Sequence, residues 1–399
     1  MPNYPDSDRV LARALAGARP GGGKIFEQTL YLERDWLAAP DTVTLEARYH
    51  LTWDDAGARV TAELDGHRLP LDEPVRLAAT VVPKPWGREL WLTGIEARGE
   101  SGIRTDAGVL PISRYLALAP RHLTRRAPLV LLKVLDPKPE PVLGDLYFEA
   151  HEKKQEVYVV THVDSGVWPE GRGGIRYGMN QALRRRYGDD GTFRRDYLAA
   201  VKRYEAVRRA IDAGDEAANG AEPELRAAME AFTNLRELAV GDVVVVPVWL
   251  PHSLQHGVRV IEFQTPTYER HIISFAQKVV TQSHWDSEAA VARMRLDVPD
   301  RPRFQRIADG AERVVAFEDF SVWRLELPAG ASFDLPDHVS YGLCMVLRGR
   351  LTLGSLSLGA EEAAFVPRLA LEAPRRQRHA RLANASEEPA VALLAAPDL

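Results

Sequence analysis

The sequence predicts a mainly β protein with two β domains, the first interrupted by helices. Three observations carry that expectation. Short runs with alternating or continuously apolar character, at residues 43–53, 58–64, 129–135, 157–160, 241–247 and 258–264, read as strands. Between residues 192 and 232 the period lengthens to that of a helix, with Tyr197, Val201, Tyr204 and Ile211 on one face. After a proline-bearing linker at 297–303, short strands with closely spaced turn residues return and fill the last hundred positions.

Taken in order, residues 6–18 read as a short helix capped by Asp6 or Ser7, followed by a glycine-rich loop at 20–23. Residues 24–78 are mostly strand, the runs 43–53 and 58–64 pairing across the turn from Asp54 to Gly57. No chemistry attaches to this stretch, which suits a β appendage or a dimer contact. Residues 144–150 add a further short strand. Thr192 is expected to cap the first long helix, and Pro223 opens a second that carries Leu225, Met229 and Phe232 in register. A short helix at 287–295 precedes the linker. The expected organisation is therefore an N-terminal helix and β appendage (1–78) and a β barrel built from 79–166 and 238–285. A helical insertion (167–237) divides that barrel, and a second β domain (300–399) follows.

Composition narrows the function classes. The 399 residues suffice for two or three domains, and 45% apolar with 27% charged residues excludes wholesale disorder. A net charge of -5 gives no reason to expect nucleic acid, and the run Arg184, Arg185, Arg186 sits among acidic residues as a solvated helix face does. Cys344 is the single cysteine. An intramolecular disulfide and a cysteine-based zinc site are thereby excluded, which fits a reducing compartment, and its apolar surroundings suggest a buried small hydrophobe. The first residues are charged and lack a signal-like apolar stretch, and no run approaches the roughly 20 apolar residues of a membrane span. A soluble cytoplasmic protein, with no membrane partner, is expected. Oligomeric state stays open.

The chemistry gathers at the two edges of the helical interruption. The first reads Gly144-x4-Glu149-x-His151-x4-Glu156. Residues two apart on a strand share a face, so Glu149 and His151 can converge, and Glu156 can return from the next strand. The second edge reads Gly241-x5-Pro247-x-Trp249-x2-His252, and a strand ending in a proline turn would deliver His252 from the opposite sheet. Two imidazoles and two carboxylates form a mixed nitrogen and oxygen donor set for one divalent metal. Zinc is the first expectation; manganese, iron, cobalt or nickel would also accept these ligands. The bland alternative is a scatter of surface residues at strand ends.

These two motifs resemble the paired motifs of cupins, with Glu149 where a histidine is usual and Trp249 where a glycine is usual. Their order is similar to that of the class I mannose-6-phosphate isomerases. Pro83-Lys-Pro-Trp86-Gly87 resembles that family's entry motif. Lys154-x-Glu156, Pro251-His252, and Glu262-x-Gln264 followed by Arg270 stand in its later places. The sequence departs from the family at Glu149, which replaces a glutamine, and at Tyr147, which replaces a serine. Only Glu152 and Lys153 stand where the family has a long segment. The resemblance covers about residues 80–399 and implies double-stranded β-helix (jelly-roll) cupin barrels with a helical insertion.

In function it implies a zinc-dependent aldose–ketose isomerase acting on a sugar phosphate, mannose 6-phosphate to fructose 6-phosphate, through a cis-enediol. Glu149, His151, Glu156 and His252 would hold the metal. Lys154 would shuttle a proton, its pKa lowered by the metal. Arg270 would hold the enediolate or the phosphate, and Glu262 would orient Arg270 or serve as base. Trp86 is either a pocket wall or core. His162 and His256 read as structural, and His338 and His379 lack partners at ligand spacing, so the C-terminal domain reads as structural or as a lid. Two other functions use the same residues: a metal-dependent oxygenase, and a non-catalytic sugar-binding relative.

Overall fold

A computed structural model describes residues 8–17, 21–54, 57–280, 282–372 and 380–397. The chain divides into two compact units, one of residues 1–82, 91–133 and 303–399, the other of residues 83–90 and 134–302. The expected cap residues Asp6 and Ser7, the turn residue Asp55 and His379 lie outside the described residues.

The first unit is built of antiparallel strands. Gly23–Arg34, Asp41–Asp54, Gly57–Leu64 and His67–Pro70 pair in sequence order, with Trp53 opposite Ala58 and Asp54 opposite Gly57. Alternation sends Leu30, Leu32, Leu45, Ala47, Tyr49 and Leu51 to a buried face, while Ile25 and Tyr31 stay on the solvated one. Six C-terminal strands join Val75–Ala78, Gly102–Thr105 and Gly108–Pro111 in a nine-stranded sheet centred on Gly342–Arg348 and Ala390–Ala396, and a four-stranded sheet runs in the order Ser332–Asp334, Arg381–Ala383, Leu351–Leu353, Leu356–Leu358. Leu325, Val346 and Leu394 of the first sheet share one core with Leu353, Leu358 and Leu382 of the second. Cys344 is fully buried there, and burial pushes its thiol up to about 12, so it behaves as the small hydrophobe expected. His338 is exposed.

The second unit carries the two edge motifs. Its strands are β1 (Leu131–Pro137), β2 (Phe148–Ala150), β3 (Glu156–Val163), β4 (Gly173–Met179), β5 (Thr233–Leu238), β6 (Val243–Val246), β7 (His252–Leu254), β8 (Val258–Gln264) and β9 (His271–Ser274). Its longer helices are α1 (Asp190–Asp212), α2 (Glu222–Glu230) and α3 (Ser287–Arg293). One sheet runs β6-β3-β8-β1 and continues through the strand that begins at Gly87; the other runs β5-β4-β7-β2-β9. Their inner faces meet in a common core, with Val160, Val244, Val258 and Val260 from the first sheet and Ile175, Tyr177, Leu254 and Ile272 from the second. Two antiparallel sheets closed over such a core, with a helical insertion, make the mainly β cupin barrel expected from the sequence.

The helices sit against the outer face of the second sheet. Phe193, Tyr197, Val201 and Tyr204 of α1 and Met229 of α2 pack with Phe148 and Ile273, which alternation turns outward. Helix α1 starts earlier than expected. Asp189 is the cap, its carboxylate accepting from the Thr192 N–H and from the Thr192 hydroxyl, each at 2.8 Å. Thr192 is thus inside the first turn. Pro223 lies in the first turn of α2, where its missing N–H costs nothing. Among the described residues, no helix is long and apolar enough to cross a membrane.

Candidate metal centre

Strand register brings the four proposed ligands together. Glu149 on β2 lies directly opposite His252 on β7, so these two side chains share the inner face of the same sheet. The sequence reading placed His252 on the opposite sheet. Instead, Glu156 is the residue contributed from across the barrel, as the first residue of β3. His151 follows β2 by one residue. Two motif glycines fit this arrangement for different reasons. A Cβ on Gly144 would lie 2.0 Å from the Lys138 carbonyl oxygen, so no side chain fits before β2. Gly241 meets nothing but has a φ of +90°, the left-handed turn that starts β6.

The polar atoms converge tightly. One ligand atom each from Glu149, His151 and His252 lie within 4.8 Å of one another. His151 Nε2 is 3.6 Å from Glu149 Oε1 and 3.5 Å from Glu156 Oε1, and His252 Nε2 is 3.1 Å from Glu156 Oε2. Each imidazole is oriented by a backbone carbonyl: His151 Nδ1 is 3.1 Å from the Glu269 oxygen and His252 Nδ1 is 3.0 Å from the Leu250 oxygen. A carbonyl only accepts, so Nδ1 carries the proton and Nε2 is the nitrogen available to a ligand. Buried His151 Nε2 and Glu149 Oε2 have no hydrogen-bond partner. Such groups are costly in a dry interior, and a divalent cation is what would satisfy both. The donor set fits a metal.

The surrounding charges are unequal in effect. Burial, reinforced by the Lys154 charge, holds His151 well below its usual pKa and therefore neutral. Burial alone would raise Glu156, but Lys154, His151 and His252 together hold it well below the carboxylate range. For His252, burial acts to lower the pKa, but the hydrogen bond and charge of Glu156, the charge of Glu149 and the Leu250 carbonyl together outweigh it, and its pKa is raised. Lys154 Nζ donates to Glu156 Oε1 at 2.5 Å. Burial disfavours the ammonium, but Glu156, Glu149 and Glu262 outweigh it and hold Lys154 above its ordinary value. The chain's own charges therefore act against the lowering expected from a metal.

Arg270 lies over the Tyr147 ring, 4.5 Å from its centroid, with Nη1 3.8 Å from Glu149 Oε2. Tyr147 packs against Phe275 at 4.1 Å between ring centres. Glu262 is buried on β8, directly across from Tyr158 on β3. Inward-facing positions on β3 and β8 are thus polar at one end (Glu156, Tyr158, Glu262, Gln264) and apolar at the other (Val160, Val260, Val258). That gradient makes one mouth of the barrel polar and the rest core.

Several contributors have no signal in the motif spacing. The Glu269 carboxylate accepts the N–H groups of Glu152 (2.8 Å) and Lys153 (3.0 Å), pinning the short loop after His151. Trp249 has a φ of +60°, a conformation costing a non-glycine residue about 1–3 kcal/mol. Two backbone bonds of 2.7 Å hold it, from its N–H to the His151 oxygen and from the Arg295 N–H to its own oxygen, and its ring stacks on His271 at 5.0 Å. Alternation from Glu156 could have found Tyr158, whose hydroxyl donates to Glu156 Oε2 at 2.5 Å. His256 is structural, as expected, with Nδ1 2.7 Å from Asp145 Oδ1 and its ring stacked on Trp168. His162 is exposed, and Trp86 is buried in the apolar core.

No protein-family model and no curated protein sequence matches the chain. Solved structures do. A mannose 6-phosphate isomerase from Bacillus subtilis is 15% identical with a TM-score of 0.57, covering 81% of this chain and 99% of its own. The apo form from Salmonella typhimurium is 12% identical with a TM-score of 0.57, covering 82% of this chain and 100% of its own. A mannose 6-phosphate isomerase bound with zinc and yttrium is 12% identical at 0.58, over 82% and 100%. At these identities the likeness is one of fold, and the chain has the cupin fold of the mannose 6-phosphate isomerase structures.

Proposed function

We propose that the chain is a metal-dependent aldose–ketose isomerase acting on a sugar phosphate, with mannose 6-phosphate and fructose 6-phosphate as the substrate pair. The carrying observation is the convergence of Glu149, His151 and His252, with Glu156 against both imidazoles and with His151 Nε2 and Glu149 Oε2 lacking a hydrogen-bond partner among the described residues. These four residues would hold the cation, and zinc is supported by the zinc-bound structure of the same fold. A bound divalent cation would supply Lewis acidity, making a carbon beside a coordinated oxygen easier to deprotonate.

The chain's own groups supply the rest. The reaction moves one proton between adjacent carbons through a cis-enediol, so it needs an acceptor, a donor and a holder of negative charge. Glu262 is the carboxylate best placed to accept the carbon-bound proton, because it lies on the inner face beside Lys154 and outside the ligand set. Lys154, protonated by its pairing with Glu156, offers its ammonium hydrogens to a substrate oxygen. Arg270 presents a planar fork at the same mouth, suited to an enediolate or a phosphate. Tyr147 and Phe275 form a buried aromatic pair that backs Arg270 and holds its guanidinium in place.

A coupled assay of mannose 6-phosphate and fructose 6-phosphate interconversion tests the proposal, run on zinc-loaded, chelated and His252→Ala protein. Turnover should appear only in the zinc-loaded wild type. A protein that holds one zinc per chain yet turns over neither sugar would sink the isomerase reading and leave sugar binding or oxygen chemistry.

A further inference from the structure

Glu156 is the most heavily engaged group at the centre. Its Oε1 accepts from Lys154 Nζ at 2.5 Å; its Oε2 accepts from the Tyr158 hydroxyl at 2.5 Å and faces His252 Nε2 at 3.1 Å. Lys154 and Tyr158 do different things to the carboxylate. The ammonium neutralises part of the charge that a cation would seek. The phenol is a neutral donor, so it fixes the direction of the carboxylate while leaving its charge in place. Direction matters here because Glu156 is the ligand that reaches across from the opposite sheet, and no backbone pairing to β2 or β7 holds it in register.

Tyr158 is well built for that task. It is the next inward-facing residue on β3 and is only 3% exposed. Its ring is packed among Val160, Val244 and Val260 in the apolar end of the barrel, with its centroid 6.1 Å from that of His252. The ring is therefore anchored in core while the hydroxyl projects into the polar mouth. A rigid aromatic stem keeps the donor in one place at little entropic cost.

We infer that Tyr158 is a positioning residue of the metal centre: its hydroxyl locks the Glu156 carboxylate in the orientation that ligates the cation. The inference rests on the metal-centre reading and adds a residue outside the ligand set. Removing the hydroxyl leaves the fold and all four ligands intact but takes from the carboxylate the neutral donor that fixes its direction, leaving Lys154 and the imidazoles to set it.

The test measures zinc affinity by competition with a chromogenic chelator, together with the melting temperature of the metal-free protein. Tyr158→Phe should weaken zinc binding by about 10- to 100-fold, as loss of an outer partner of a metal ligand does. Tyr177→Phe is the control, because Tyr177 is an equally buried tyrosine of the same barrel whose hydroxyl donates to the Val245 carbonyl. It should leave zinc affinity unchanged. In a Glu156→Asp background, where the carboxylate is withdrawn from the phenol, Tyr158→Phe should cost much less than in the wild type. Wild-type affinity in Tyr158→Phe, equal losses in both phenylalanine variants, or an undiminished loss in the aspartate background each overturns the inference. A wild-type chain that binds no zinc removes the metal-centre reading itself, and that result is separate from the others.

Discussion

Lys154 is the residue whose environment says most about how the centre works. Burying an ammonium is unfavourable on its own, and it is tolerated here because Glu156 is 2.5 Å away, with Glu149 and Glu262 adding to the attraction. A metal ion and Lys154 would therefore share one negative charge. Lys154→Met should leave Glu156 under-compensated and destabilise the metal-free protein by about 3 kcal/mol. Zinc should restore much of that loss, because the cation replaces the missing positive charge. Thermal denaturation of the variant with and without zinc measures both effects. An equal loss in the two conditions, from protein that binds zinc, would show that lysine and cation do not share the carboxylate.

Among the elements, the turns that deliver the ligands are built on two glycines with different requirements. Gly144 is excluded from carrying a side chain by backbone, since the Lys138 carbonyl oxygen and the His256 Cβ crowd its Cβ direction at 2.0 and 2.7 Å. Gly241 is constrained only by its φ of +90°. Gly241→Ala should cost about 1 kcal/mol and leave zinc affinity near wild type. Gly144→Ala should be far worse, above about 3 kcal/mol or insoluble, because main chain has to move before β2 and carries Glu149 with it. Melting temperatures of the two variants, measured side by side, check the ranking. Similar values for both would mean that the segment before β2 relaxes freely.

For the molecule as a whole, a ligand that binds only the folded state stabilises the part that holds it, by about 4 kcal/mol at a thousandfold excess over its dissociation constant. All the proposed ligands and reacting groups belong to the unit of residues 83–90 and 134–302. Zinc should therefore slow amide hydrogen exchange in β3, β7 and β8, while the central strands of the other unit, Gly342–Arg348 and Ala390–Ala396, keep their metal-free rates. Exchange measured by mass spectrometry with and without zinc reads this out. Protection spread evenly over both units would count against a centre confined to one.

Much of this protein is set locally and could be read from the residues. Alternation dictates the strands, and the longer period from Phe193 onward dictates α1. The i, i+2 relation of Glu149 and His151 dictates that they share a face, because strand and helix periods follow from backbone geometry alone. Tertiary structure decided the rest. It put His252 beside Glu149 instead of across from it, brought the Glu269 carbonyl to His151 over 118 positions, and aimed the Tyr158 hydroxyl at Glu156. Even Thr192, which has the right chemistry for a cap, yields that place to Asp189, whose extended backbone precedes the first turn and whose carboxylate accepts the Thr192 N–H. Those outcomes depend on strand register and sheet membership between segments far apart in the chain. Many alternative pairings share the same local pattern, and only the packed core, which buries one face of each sheet against the other, selects among them.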